Sequence, residues 1–168
     1  MALSLKGYAL FLLARRDYAC YELRKKLLVR ELNEAAIDTL LLELASLGYL
    51  SDQRFAENLI LNCALRKGEG PLKIRRILRE KGVNCDLDSF PSLTHSDEVG
   101  LDGYTWVMIC RELIEKKWRN KRHFTRNEKA ALFRYLLNKG FRSSDIKEAF
   151  FLWKTACHVN AKIASSPV

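Results

Sequence analysis

The chain has 168 residues, 48% of them hydrophobic, and a formal net charge of +9, which favours a polyanionic partner over a neutral one. That length fits one domain or a few small modules sharing a core, and no run approaches the roughly 18 apolar residues of a membrane span. Five cysteines (Cys20, Cys63, Cys85, Cys110, Cys157), odd in number and without a CxxC pair, argue against a disulfide framework and a zinc site, and read as reduced cytosolic thiols.

The first helical stretch is 4–16. Its apolar segment, Tyr8 to Ala14, is short and lacks a basic n-region, so it reads as an amphipathic helix rather than a signal peptide. Arg15 and Arg16 close it. The next stretch, ELRKKLLVREL (22–32), turns Leu23 and Leu27 inward. Asn33 can cap a third helix carrying Ile37, Leu40, Leu41 and Leu44. The outer face of that helix is acidic (Glu34, Asp38, Glu43), which would repel phosphate. Gly48 stops it. Ser51 then caps a helix over 52–67 that ends on Arg66 and Lys67.

GEGPLKIRRILREKG (68–82) follows. Pro71 suits the first helical position and Gly82 the residue just past the end. Ile74, Ile77 and Leu78 share one face, while Arg75, Arg76 and Arg79 share the opposite one. Leu72 is placed to meet the preceding loop. The glycines would let the backbone approach a partner closely. As a phosphate loop the segment is too short, because GxxxxGK[ST] is absent.

Residues 86–103 carry five anions and no cation. Their Pro, Gly, Ser and Asp content marks a linker with a short helix at its start, shifted onto Leu87 and Phe90 because Pro91 breaks a helix interior. Helical periodicity returns over 104–119. Basic density peaks in EKKWRNKRHFTR (115–126), where Trp118 and Phe124 stand among Lys116, Lys117, Arg119, Lys121 and Arg122. Such aromatics either stack bases or belong to the core. Thr125 and Glu128 fit a capping box. AALFRYLLNKGF (130–141) then ends at Gly140, and Ser143 or Ser144 caps the last helix.

Three of these stretches repeat. Leu23, Ile74 and Leu132 share one position, and Leu27, Leu78 and Leu136 another. Arg30, Lys81 and Lys139 come next, then Glu31, Gly82 and Gly140. Leu32, Val83 and Phe141 close the set. Apolar offsets after Leu32 (37, 40, 41, 44) recur after Phe141 (Ile146, Ala149, Phe150, Trp153). Strand alternation is absent. The expected fold is all-α: three tandem three-helix, helix-turn-helix-like repeats in an elongated arrangement. Boundaries fall at 1–50, 51–96 (third helix weak), a 97–104 linker, 105–158 and a 159–168 tail. Tyr21, Tyr49 and Phe55 read as core.

Catalytic chemistry finds little support. None of His95, His123 and His158 stands in a triad-like context, and adjacent Cys157 and His158 would not face each other on a helix. No cofactor or metal is implied.

LARRDYACYELRKKL (13–27), LASLGYLSDQRFAENLI (44–60) and GEGPLKIRRILREKG, in this order and spacing, resemble the RecX family of regulators of the bacterial RecA recombinase. The likeness spans about residues 8–153. Its most specific part is Gly48-Tyr49-Leu50, Asp52-x-Arg54-Phe55-Ala56 and Gly68-x-Gly70-Pro71. The chain departs from the family where Ala19 replaces a capping Ser, where Glu31 replaces Gly, and in its acidic 86–103 segment. Without that Ser, Asp17 or the Tyr18 backbone must cap the helix, or its end frays.

The resemblance implies a non-enzymatic, cytoplasmic, monomeric regulator. Such a protein lies in the groove of the RecA–single-stranded-DNA filament and depresses strand exchange, ATP hydrolysis and co-protease activity. Its setting is homologous recombination, DNA repair and the SOS response, with single- or double-stranded DNA as a further ligand and no membrane contact. The residues put forward as partner-facing are Arg15, Arg16, Arg24, Lys25, Arg54, Arg66, Lys67, Lys73, Arg75, Arg76, Arg79, Lys116, Lys117, Arg119, Lys121 and Arg122. The alternative is a stand-alone DNA-binding protein with tandem helix-turn-helix modules. A duplex reader should carry Asn, Gln or Arg early on a recognition helix, and helix 71–81 begins Pro-Leu-Lys-Ile. A protein-only adaptor is a third class, marked by weak salt dependence on bare DNA.

Overall fold

The structure, a computed structural model, describes residues 4–85, 87, 105–118 and 124–163. Among them are eight α-helices and no strand: α1 (Leu5–Leu13), α2 (Cys20–Leu28), α3 (Glu34–Ser46), α4 (Asp52–Leu61), α5 (Pro71–Glu80), α6 (Trp106–Lys117), α7 (Arg126–Asn138) and α8 (Ser143–Ile163). Apart from the buried Leu87, the third helix of the second repeat lies outside the described residues, as do the 97–104 linker and residues 164–168 of the 159–168 tail. α4 does not stay α-helical to residue 67. Its end widens into a π-turn, Asn62–Arg66, with Lys67 N–H donating to Asn62 C=O.

The chain divides into two compact units. The first comprises residues 1–60 with 75–86, and the second 61–74 with 87–168. In the first, Leu23, Leu27, Ile37 and Leu44 are fully buried, with Ala9, Leu12, Leu40, Leu41 and Leu50 around them. In the second, Ile74, Ile114, Leu132, Leu136 and Phe141 are fully buried. All six residues aligned at the two principal apolar positions of the repeat are therefore core.

Helix ends follow the sequence closely in places. Ser4, Asn33, Ser51 and Thr125 each accept a backbone N–H, and Thr125 with Glu128 completes the capping box. Gly48, Gly82 and Gly140 all take positive φ. At each, the N–H of the next residue bonds back to a carbonyl five residues earlier (Tyr49 to Leu44, Val83 to Leu78, Phe141 to Leu136), which closes a Schellman turn.

Four readings need correction. Leu32 is 92% exposed, while its counterparts Val83 and Phe141 are buried. Glu31 stands where they are preceded by glycine, no non-glycine residue takes positive φ among the described residues, and so the chain does not fold Leu32 back. Tyr21 and Tyr49 are exposed rather than core, although Phe55 is buried. Ala19 makes no side-chain cap; instead the Asp52 carboxylate, from the start of α4, accepts the Cys20 N–H at 2.7 Å. Neither Ser143 nor Ser144 caps α8: Arg142 holds that position, with Asp145 reaching back to its N–H.

Candidate partner-binding surface

The GEGP motif is buried, and what its glycine admits is the chain's own backbone. Within the second unit, Gly70 N–H donates to Lys139 C=O (2.8 Å) and Leu72 N–H to Gly140 C=O (2.9 Å). A Cβ on Gly70 would lie 2.4 Å from the Gly140 carbonyl carbon, and one on Gly140 would lie 2.6 Å from the Lys73 nitrogen. Both positions require glycine for close approach. Glu69 is buried beside them. Burial alone would raise its carboxyl, but hydrogen bonds from Lys73 (2.9 Å) and the Cys63 thiol bring it below the usual carboxylate range. Lys73 is thereby engaged internally, and Leu72 stays half-exposed rather than packed on the preceding loop.

Other candidate cations are also committed. Arg24 bonds Asp38 (2.7 Å) and Glu34 (2.7 Å), and it holds the Asp38 carboxyl low. Lys6 meets Glu43. The outer face of α3 is therefore one side of an ion-pair network rather than bare negative charge. Arg16 donates to both Glu22 oxygens (3.2 and 3.0 Å) and to Asp17 C=O, and lies over the Tyr18 ring at 3.7 Å. It does not bond the carbonyls ending α1. Arg54 reaches Asp17 and the carbonyls of Gly48 and Tyr49, fixing the α3–α4 turn. Lys25 lies over Tyr21, and Arg15 over Phe11.

What remains outward is more selective. On α5, Arg76 and Arg79 are exposed, and Arg76 meets Glu80 only at 3.8 Å with both side chains about two-thirds exposed. Such a pair is worth little. Arg75 and Arg79 line an open cavity of about 370 Å³ with Leu78, Val83, Asn84 and Cys85. In the second unit, Arg66, Lys67 and Lys116 are exposed. Lys117 stacks on Tyr135 (3.4 Å) and Trp118 (5.0 Å). Trp118 and Phe124 are half-buried and belong to an aromatic cluster with Tyr135, Phe150 and Trp153, at centroid separations of 4.9 to 6.4 Å. Arg119, Lys121 and Arg122 lie outside the described residues.

Among the described residues nothing resembles a catalytic constellation. Burial drives up the thiols of Cys20, Cys63 and Cys110, the last to about 12, so none of these is a thiolate nucleophile at neutral pH. Among the described residues no group of His, Cys, Asp and Glu could hold a metal ion, and no helix is long and apolar enough to cross a membrane.

Tandem helical modules with outward cations and a buried GEGP motif define an all-α helical-repeat protein. Three family models match in sequence: the first three-helix domain of RecX over residues 6–44, the second over 51–87 and the third over 108–150. The chain is 36% identical over 142 residues to Regulatory protein RecX of Legionella pneumophila (strain Corby), covering 84% of this chain and 89% of that protein. It is 34% identical over 145 residues to Regulatory protein RecX of Haemophilus influenzae (strain PittEE), covering 84% and 90%. The fold is similar to the crystal structure of RecX from Lactobacillus salivarius, with a TM-score of 0.72, 23% identity and coverage of 90% and 95%. The chain belongs to the RecX family, a family of regulatory proteins.

Proposed function

We propose that this protein regulates a bacterial RecA recombinase without catalysing a reaction itself. It binds the RecA–single-stranded-DNA filament in its helical groove and depresses strand exchange, ATP hydrolysis and co-protease activity. It acts in the cytoplasm, in homologous recombination, DNA repair and the SOS response. Family membership along most of the chain is the observation that carries this reading. The surface supports it: with a net charge of +9, Arg76, Arg79, Arg66, Lys67 and Lys116 stay outward while the remaining described candidates are mostly engaged within the chain. Arginine forks suit either phosphates or carboxylates lining a protein groove.

The test is ATP hydrolysis by the cognate recombinase on single-stranded DNA, titrated with this protein. Suppression is expected at protein well below the recombinase concentration, where naked DNA is barely bound. Unchanged hydrolysis with tight, salt-sensitive DNA binding would instead support a stand-alone DNA-binding protein.

A further inference from the structure

The first and third repeats differ where their second and third helices face each other. In the first repeat Arg24 on α2 donates to Asp38 on α3 at 2.7 Å, so the chain's own ion pair bridges the two helices. The repeat alignment puts Phe133 at the position of Arg24 and Lys147 at that of Asp38. The second repeat carries Arg75 there, so the third alone has an aromatic side chain. Phe133 and Lys147 cannot form the bridge. The third repeat has instead an open cavity of about 360 Å³ between α7 and α8.

Leu132, Phe133, Ile146 and Phe150 give this groove an apolar lining, and the exposed Lys129 and Lys147 edge it. The apolar stripe continues along α7, where Ala130, Phe133 and Leu137 recur at helical spacing, Phe133 half-buried and the other two exposed. No carboxylate is among the described lining residues. Glu128 completes the capping box, and Asp145 accepts the Arg142 N–H. Glu148 directly follows Lys147, and adjacent helical residues do not face each other. Where the first repeat meets its arginine with a carboxylate of its own, the third presents ammonium groups to a carboxylate from outside.

A nucleic-acid strand suits this groove poorly. Its phosphates would pair with the lysines, but Phe150 packs against Phe124 and Trp153 and carries Lys129 over its ring at 4.8 Å, which leaves it no open face for a base. The described lining offers a base edge nothing polar except the two ammonium groups. An amphipathic protein segment uses the whole groove, with apolar side chains on the floor and carboxylates at the edge. We infer that the α7–α8 groove holds a segment of the recombinase protein itself, one that carries apolar side chains flanked by Asp or Glu. The third repeat then grips protein rather than DNA, whichever of the two the arginines of α5 touch.

This rests on the proposed function, and the test separates the two. The full chain, bound to the recombinase filament on single-stranded DNA, is treated with a water-soluble carbodiimide, which joins an amine to a carboxylate in direct contact. Lys147 or Lys129 should be found joined to an Asp or Glu of the recombinase with apolar neighbours. Phe133→Ala removes part of the floor without changing charge; because Phe133 is half-buried, the exposed Ala130→Gln, which crowds the same groove, is the second variant. Each should bind the filament at least about fivefold more weakly, the size of one good interface contact, with affinity for bare single-stranded DNA unchanged. If wild type does not bind the filament, the proposed function falls and this inference with it. With wild-type binding intact, three results overturn the inference alone. Neither lysine is joined to the recombinase, or Ala130→Gln binds the filament as wild type does, or bare-DNA affinity falls in step with filament binding, which would give the groove to the nucleic acid.

Discussion

Glu22 is the residue at which two distant parts of the first unit meet. Arg16, before α2, and Lys81, after α5, both donate to it, and its side chain is only 15% exposed. Burial alone would raise its carboxyl, but these hydrogen bonds outweigh burial and hold it below the ordinary range. A carboxyl depressed in the folded state binds fewer protons than in the unfolded chain. Its stabilisation is therefore fully present above the unfolded value near 4.5 and is lost as pH falls through the lower folded value. Glu22→Gln should cost roughly 1–2 kcal/mol at neutral pH, since the pair is partly buried and hydrogen-bonded. Thermal melts from about pH 7 to pH 3 should show the wild type converging on the variant below pH 4.5. A gap that stays constant to pH 3 would assign the loss to packing instead. The Lys81 partner of Glu22 was not legible in the sequence, because 59 residues separate the two and spacing carries no signal at that range. The Asp52 cap on α2 was hidden for the same reason: the local rule looks for a Ser at residue 19, and the oxygen comes from 32 residues away.

At the scale of elements, more was legible. Apolar periodicity located every described helix, and the glycine stops at 48, 82 and 140 follow from the need for positive φ after a helix. The repeat alignment predicted six core positions correctly and failed at Leu32, the one closing position without a preceding glycine. The role of GEGP was half legible. Its glycines imply close backbone approach, but only the fold identifies Gly140 as the partner. This separates two kinds of glycine. Gly48 has positive φ and nothing within 4 Å of an added Cβ, so Gly48→Ala should cost only about 1 kcal/mol of backbone strain. At Gly70 an added Cβ meets the Gly140 carbonyl and the Phe141 nitrogen, backbone atoms that cannot rotate away. Gly70→Ala should therefore cost at least about 2–3 kcal/mol, by overpacking and by weakening the bonds to Lys139 and Gly140. Denaturant unfolding of both variants checks the order. Equal losses would mean that the contact at Gly70 relaxes freely.

For the whole molecule, charge is informative only after internal pairing is subtracted. A reading from composition gives Arg24, Arg54 and Arg79 equal standing, and the fold does not: Arg24 and Arg54 hold α2 to α3 and fix the α3–α4 turn, whereas Arg79 is exposed on α5. The strongest test of the partner surface is therefore Arg76→Glu with Arg79→Glu. The melt should hardly move, since among the described residues the ion pair lost is the long Arg76–Glu80 contact, and the like charges created beside Glu80 cost a few tenths of a kcal/mol, about the size of one surface pair. Binding to the recombinase filament should fall at least tenfold. Bare single-stranded DNA then distinguishes what the arginines touch. If they contact phosphates, the slope of log K against log salt should shrink by about 0.7 for each lost contact. If they contact carboxylates in the recombinase groove, filament binding falls while affinity for bare DNA and its salt slope stay as in wild type. Unaltered binding to both would remove α5 from the interface and leave Arg66, Lys67 and Lys116 of the second unit as the next positions to reverse.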